Sequence, residues 1–251
     1  MSEPVPAPSD NSPGSPLELT IVIPARNEVE RIGPTLESYL AHFDPASTEL
    51  LVVINNSDDG TLELVRGFEA EHANLRHLNF PGAIGKGGAV HEGFAAARGK
   101  LLGFVDADGA TPPTAFAELV QTLRDDPTVD CVLASRWLSA SKVLTPQPLA
   151  RRIASRLFNL AVRLLFRLPF RDTQCGAKLF RATALRPLLP QLANTGWLFD
   201  IELLFLLRAA GHRLVELPTT WQDVEGSRFS MGRNLVPVLR DMFALRRRLR
   251  G

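Results

Sequence analysis

Short apolar runs rich in β-branched residues alternate along the first half of the chain with longer stretches of helical spacing. The segments 19–23 (LTIVI), 50–54 (LLVVI), 101–105 (LLGFV) and 131–134 (CVLA) are apolar almost throughout. That is the pattern of strands buried on both faces. Residues 75–80 read as a further strand. Apolar positions recurring every three or four residues predict helices over about 28–43, 61–71, 86–98 and 113–123. Strand alternating with helix at this spacing implies crossover connections. It predicts an α/β fold with a Rossmann-like, mostly parallel central sheet flanked by helices. Ligands of such sheets sit outside the carboxyl ends of the strands. The segments found there read PARNE, NNSDDGT, PGAIGKGG and DADGATPP.

After Ser135 the pattern changes. Residues 148–168 are helical in spacing, apolar and studded with arginine; 175–180 reads as a strand, 197–210 as an apolar helix and 213–217 as a strand. A last helix, 235–250, ends in RRRLR. Ile153, Leu157, Leu160, Leu164 and Leu168 make one stripe, with Arg152, Arg156, Arg163 and Arg167 at its flank. Such a helix suits either an anionic membrane surface or a protein core with a solvated basic rim.

Charge sharpens this half. The chain of 251 residues has a net charge of +1, so the molecule as a whole is no polycation built for nucleic acid. Yet from Cys131 to Arg171 there are eight basic residues and no acidic one. The Pro- and Ser-rich residues 1–18 read as a disordered tail with no apolar signal-peptide core. No apolar run of about 18 residues is present to cross a bilayer. Two cysteines argue for a reducing, cytoplasmic setting and against a disulfide scaffold. The expected organisation is one domain over 19–251, with a nucleotide-binding half (19–135) and an acceptor and membrane-interface half (136–251).

Asp106 and Asp108 follow a buried strand at i and i+2. Two carboxylates so spaced can reach one hard cation, Mg²⁺ or Mn²⁺, and leave positions open for a diphosphate. The alternative is a pair of turn-forming aspartates. Pro24, Arg26, Asn27 and Glu28 follow the first strand, where Asn27 and Glu28 either cap the next helix or bind a base or ribose. Gly85 and Lys86 open a glycine-rich segment, either a phosphate contact or a plain turn. It lacks the spacing of a Walker A loop or of G-x-G-x-x-G.

Taken in this order, GKGGAV (85–90), DADGATP (106–112), RDTQCGAKLF (171–180), WLFDIELL (197–204) and EGSR (225–228) resemble family 2 glycosyltransferases of the GT-A fold. The chain looks most like the dolichyl-phosphate β-glucosyltransferases and their prokaryotic polyprenyl-phosphate relatives, from Leu19 to about Arg246. The resemblance implies hexose transfer, with inversion, from a nucleotide sugar to a polyprenyl phosphate at the cytoplasmic membrane face. The sugar would be glucose from UDP-glucose, with mannose from GDP-mannose as the alternative. The implied metal ligands are Asp106 and Asp108. Asn56, Asp58, Ala107, Gly85 and Lys86 fall on the donor site beside Pro24, Arg26, Asn27 and Glu28. Ser135, Arg136, Ser227 and Arg228 fall at acceptor-phosphate positions, and the 148–168 helix at the lipid interface. Asp200 and Glu202 are placed to bind sugar hydroxyls or, with another acceptor, to act as base, or merely to cap a helix; Gln174 reads as structural. One departure stands out. Asn55-Asn56 occupies the place after the second strand where the family often has an acid. A transferase for a soluble acceptor and a nucleotide-sugar-binding protein without turnover are the rival readings.

Overall fold

The structure, a computed structural model, describes residues 17–145, 149–222 and 231–249. In chain order the first half is β1 (Leu19–Ala25), α1 (Ile32–His42), β2 (Thr48–Asn55), α2 (Thr61–Glu71), β3 (Leu75–Phe80), α3 (Gly85–Ala96), β4 (Leu101–Val105), α4 (Pro113–Asp125) and β5 (Cys131–Ser135). The second half is β6 (Lys142–Val143), α5 (Leu149–Phe166), β7 (Ala177–Arg181), α6 (Ala182–Leu185), a 3₁₀ turn over Arg186–Gln191, α7 (Phe199–Ala209), β8 (Leu214–Pro218), β9 (Thr220–Trp221) and α8 (Met231–Arg248). The short strands β6 and β9 and the α6 turn have too few residues to leave a period in the sequence.

Seven strands form one sheet in the order β3-β2-β1-β4-β7-β5-β8, and β6 pairs with β9 apart from it. All neighbours in the large sheet are parallel except β7, which runs antiparallel to both β4 and β5. Side chains alternate across the sheet as the strand period demands. Val22, Val53, Leu102 and Phe104 face one core, with α3, α5, α7 and α8. Ile21, Ile23, Val52, Ile54 and Val105 face the other, with α1, α2 and α4.

Two details position the site. Because β7 runs backwards, the segment that enters it arrives at the carboxyl end of β4, where the Asp106 N–H donates to the Gly176 carbonyl at 3.1 Å. The first helix starts at Ile32, not at 28, and that corrects the capping reading of Asn27 and Glu28. The N-cap position falls on Arg31; the Glu28 main-chain carbonyl accepts the Arg31 and Ile32 N–H groups at 2.9 and 2.8 Å, and the Glu28 carboxylate lies 2.6 Å from Arg31 Nη2.

The structure divides the apolar stripe of α5 between the two alternatives that the sequence leaves open. Val162 and Phe166 point into the core, and Leu168, just beyond the helix, is also buried. Leu149, Ile153, Leu157, Leu160 and Leu164 face outward, from 48% exposed at Leu160 to 73% at Leu164. The core therefore takes the other side of the helix, with Phe158, Ala161 and Leu165 packed against it.

Candidate active site

Asp106 begins the turn after β4, with its carboxylate over the backbone of Gly176. A Cβ added at Gly176 would lie 2.1 Å from Asp106 Oδ2, so only glycine lets the strand pass beneath that carboxylate. Lys86 Nζ lies 2.6 Å from Asp106 Oδ1. Burial opposes the Lys86 charge, but Asp106 first and then Asp200 outweigh it and hold the ammonium above its ordinary pKa. Asp108 is tied by its Oδ1, which accepts the Ala110 N–H at 3.0 Å. Burial pushes the Asp108 carboxyl up, and the negative charge of Asp106 pushes it further. The turn is clamped from α1: Thr35 Oγ1 donates to the Ala107 carbonyl at 3.0 Å and Tyr39 OH to the Thr111 carbonyl at 3.0 Å.

The glycine-rich segment is explained by close packing. Gly85 has φ = 77°, and a Cβ there would sit 2.2 Å from the Thr195 carbonyl oxygen. A Cβ at Gly87 would lie 2.6 Å from both the Asn194 carbonyl oxygen and Phe199 Cβ. The Gly88 N–H donates to the Thr195 carbonyl at 3.1 Å. These glycines let residues 194–199 lie directly on the start of α3, which turns Lys86 towards Asp106. Trp197, on the same segment and 49% exposed, lies with its ring centroid 5.3 Å from Lys86 Nζ.

At the outer end of β1 and β2, Asn27 and Asn56 both take the left-handed conformation, with φ of 55° and 52°. Asn27 Nδ2 donates to Asp58 Oδ1 at 2.8 Å, and the Asp58 N–H returns the bond to Asn27 Oδ1 at 2.9 Å. Burial acts to raise the Asp59 carboxyl, but bonds from the Thr61 hydroxyl and then from the Val29 and Thr61 N–H groups prevail and draw it below the usual range. Asn55 is buried, and its side-chain oxygen accepts the Ile84 N–H at 2.9 Å. The departure from an acid at that position thus serves the β3–α3 connection. Arg26 is exposed and Pro24 half-buried beside them.

On the other flank Ser135 is buried and its Oγ accepts the Trp137 N–H at 3.3 Å. The Arg136 guanidinium grips Asp172 with two bonds, Nε to Oδ2 at 2.7 Å and Nη2 to Oδ1 at 2.9 Å. Burial acts to raise the Asp172 carboxyl, but the Arg136 charge prevails and holds it low. Arg136 also lies against Trp221 and Trp137, and Arg156 of α5 sits 5.0 Å from the Trp137 ring centroid. A cation–aromatic ladder therefore joins β5 to the arginine-rich helix. Ser227 and Arg228 lie outside the described residues.

Asp200, at the start of α7, is almost buried, and Lys178 Nζ of β7 lies 2.7 Å from its Oδ1. Glu202 is fully buried; it accepts the Ala193 and Asn194 N–H groups and meets Arg248 of α8. It acts as an anchor for the 192–196 segment, which removes it as a sugar ligand or base. Gln174 Nε2 donates a long bond to the Thr173 carbonyl, at 3.4 Å.

The fold thus brings Asp106, Ala107, Asp108, Gly85, Lys86 and Asp200 together, with Arg136 on the next strands. Asn27, Asn56 and Asp58 form a second group at the outer strands. Lys178, Asp172 and Gly176 were not singled out from sequence. The one signal available was their place in RDTQCGAKLF, a segment whose importance is invisible until β7 is seen to run antiparallel. Among the described residues no group of three His, Cys, Asp or Glu side chains could hold a metal alone. The donor set at the β4 turn is two carboxylates, one of them raised by the other's charge. It suits a hard divalent cation whose remaining positions a diphosphate fills.

Comparison with known proteins agrees with this arrangement. Residues 20–189 match the family model described as glycosyl transferase family 2. A dolichyl-phosphate β-glucosyltransferase of Trichomonas vaginalis is 33% identical over 246 residues, covering 91% of this chain and 73% of the relative. The Drosophila melanogaster dolichyl-phosphate β-glucosyltransferase is 32% identical, covering 91% and 74%. Glycosyltransferase AglD of Haloferax volcanii is 33% identical over 88% of this chain, which spans only 35% of that longer protein. Among solved structures, the glucosyl-3-phosphoglycerate synthase of Mycobacterium tuberculosis bound to UDP superposes with a TM-score of 0.67 at 20% identity, over 93% of this chain and 80% of that one. The chain belongs to glycosyl transferase family 2 and is an enzyme of the hexosyltransferase type, built on the GT-A fold.

Proposed function

We propose that this enzyme transfers glucose from UDP-glucose to a polyprenyl phosphate at a membrane surface, with inversion at the anomeric carbon. The observation that carries the reading is the juxtaposition of two features. The Asp106–Asp108 carboxylate pair with Lys86 stands at the end of β4, and the Arg136–Trp137–Arg156 ladder leads from its flank to a helix with an exposed leucine stripe. The names of the relatives support glucose and a lipid phosphate as the two substrates. Structures of the Mycobacterium tuberculosis synthase with Mn²⁺ and UDP bear on the fold and make Mn²⁺ a reasonable first choice of cation.

In this reading Asp106 and Asp108 hold Mg²⁺ or Mn²⁺, which when bound neutralises charge developing on the departing diphosphate. Lys86, already beside Asp106, adds a fixed positive charge to the same region. The outer group of Asn27, Asn56 and Asp58, flanked by Pro24, Arg26 and Glu28, borders the nucleoside. A phosphate oxygen of the acceptor attacks the anomeric carbon, the bond to the donor's β-phosphate oxygen breaks, and UDP leaves with that electron pair. A phosphate monoester carries about 1.5–2 negative charges near neutral pH, so the attack requires no side-chain base. Arg136, fixed by Asp172, and Arg156, over Trp137, are the cations proposed for the acceptor's anionic head, with Ser135 beneath them; Ser227 and Arg228, proposed for the same role from sequence, lie outside the described residues.

The membrane side rests on α5. Its outward leucines, with Arg156, Arg163 and Arg167 exposed beside them, suit peripheral binding to an anionic leaflet. No helix among the described residues is long and apolar enough to cross a membrane. The cytoplasmic leaflet is the face proposed, in keeping with two cysteines that are free thiols. The deciding experiment incubates purified protein with a panel of nucleotide sugars, polyprenyl phosphate, a soluble phosphorylated acceptor and Mg²⁺ or Mn²⁺, and identifies products by mass. Glucosyl-phosphoryl-polyprenol from UDP-glucose is the expected product. Turnover only with the soluble acceptor would overturn the lipid reading.

A further inference from the structure

Lys178 poses a physical problem that the transfer chemistry leaves unused. It lies in the middle of the central sheet, between Phe104 of β4 and Leu133 of β5, and is fully buried. Its Nζ donates to the Cys175 carbonyl at 2.8 Å, lies 5.1 Å from the Phe104 ring centroid, and meets Asp200 Oδ1 at 2.7 Å. The approach to Oδ1 is that of an ion pair angled off the hydrogen-bond direction. Taking two such charges out of water costs several kcal/mol per ion, and an apolar pair of the same shape is often as stable or more so. Stability alone therefore does not account for a lysine at this position.

Placement does account for it. Asp200 begins the helix that follows Trp197, and its charge supports Lys86, the residue bound to Asp106. Positive and negative groups then alternate from the sheet interior to the carboxylate pair in the order Lys178, Asp200, Lys86, Asp106. Burial holds the Asp200 carboxyl above its ordinary range, and the Lys178 ammonium 2.7 Å away works against that burial. We propose that Lys178 is a positioning residue, whose ammonium, anchored on the Cys175 carbonyl, holds the Asp200 side chain in place at the start of α7 so that Lys86 and Asp106 stay in register for transfer. The inference deepens the transfer reading and rests on it.

The test is a double-mutant cycle on the full chain with Lys178→Met, Asp200→Asn and the two combined, scored by kcat, by KM for the donor and by melting temperature. Each single variant leaves one buried group unpaired, so each is expected to melt lower. The double variant removes both charges and is expected to melt within about 3 °C of wild type. Turnover is expected to separate from stability. All three variants lose at least about tenfold in kcat, by similar factors, with donor KM changed less than about threefold. Recovery of kcat together with melting temperature in the double variant would make the pair merely structural and overturn the proposal. So would a double variant slower than either single by a further factor of ten, since Lys178 would then act independently of Asp200. If a single variant does not fold, the double compared with wild type still decides. Wild-type turnover is measured first with the donor and acceptor that the substrate panel selects. A failure there falls on the transfer reading, and the variant ratios fall on Lys178 alone.

Discussion

Helices α4 and α5 carry apolar stripes of the same spacing and meet opposite fates. In α4, Ala115, Phe116, Leu119, Val120 and Leu123 are all buried, with Phe116 against Tyr39 and Phe43. In α5, Leu149, Ile153, Leu157, Leu160 and Leu164 look outward, and a second, interrupted apolar side packs on the sheet. The first helix closes a core against β1, β2 and β4. The second closes a core on one side and leaves apolar area without a protein partner among the described residues on the other. An exposed apolar strip flanked by cations marks a contact surface and not a folding device. The half before Ser135 thus closes its helices onto the sheet, and the half after it keeps one apolar strip turned away from the chain.

The contrast can be broken most severely at the β4 turn. Asp108→Ala is expected to lower kcat by at least about 100-fold, with melting temperature nearly unchanged, because the side chain's only described bond is the one to Ala110 within its own turn. Steady-state kinetics with added Mn²⁺ check this, and near-normal turnover would remove Asp108 from the site.

The two stripes themselves come next. Phe116→Ala is expected to cost about 3–5 kcal/mol in urea unfolding, the usual loss for a large buried aromatic. Leu157→Ala and Leu164→Ala together are expected to stay within about 1 kcal/mol of wild type. The same pair is expected to weaken sedimentation with anionic vesicles several-fold, and Phe116→Ala, if folded, is not. A double leucine variant that melts like Phe116→Ala would place the α5 stripe inside a core and erase the contrast.

The smallest effect is a pH dependence at the Arg136–Asp172 pair. Arg136 holds the buried Asp172 carboxyl below its ordinary range, so in acid the unfolded chain takes up that proton before the folded one does. The stability this pair contributes is whole above the ordinary carboxylate pKa and is lost as pH falls through the folded value. Asp172→Asn is expected to be less stable at neutral pH, and to lose less than wild type between about pH 5 and about pH 3. Urea unfolding across that range reads both signs.

Much of this was legible before any coordinates. Strands β1 to β5 and their intervening helices follow from apolar runs and period, and the position of DADGATPP after a strand puts Asp106 and Asp108 at the carboxyl edge of the sheet. What escaped did so for definable reasons. The start of α1 was misplaced because Asn27 and Glu28 have the composition of a cap, while long-range bonds to Ser57, Asp58 and Thr61 hold them in a loop. Lys178 escaped because a lysine within an apolar run gives no sign that it is buried until its partner, 22 positions away, is seen beside it.

The amino-acid sequence by itself determined the element order, the carboxylate pair, the acid-free arginine stretch and the membership of a family, because these are properties of residue type and spacing along one chain. Only the tertiary structure decided that β7 runs backwards between β4 and β5, that the glycines of GKGG exist to let residues 194–199 pass, and which side of α5 faces out. Direction, close approach and burial depend on what stands opposite a residue in space. Local period carries no record of that neighbour.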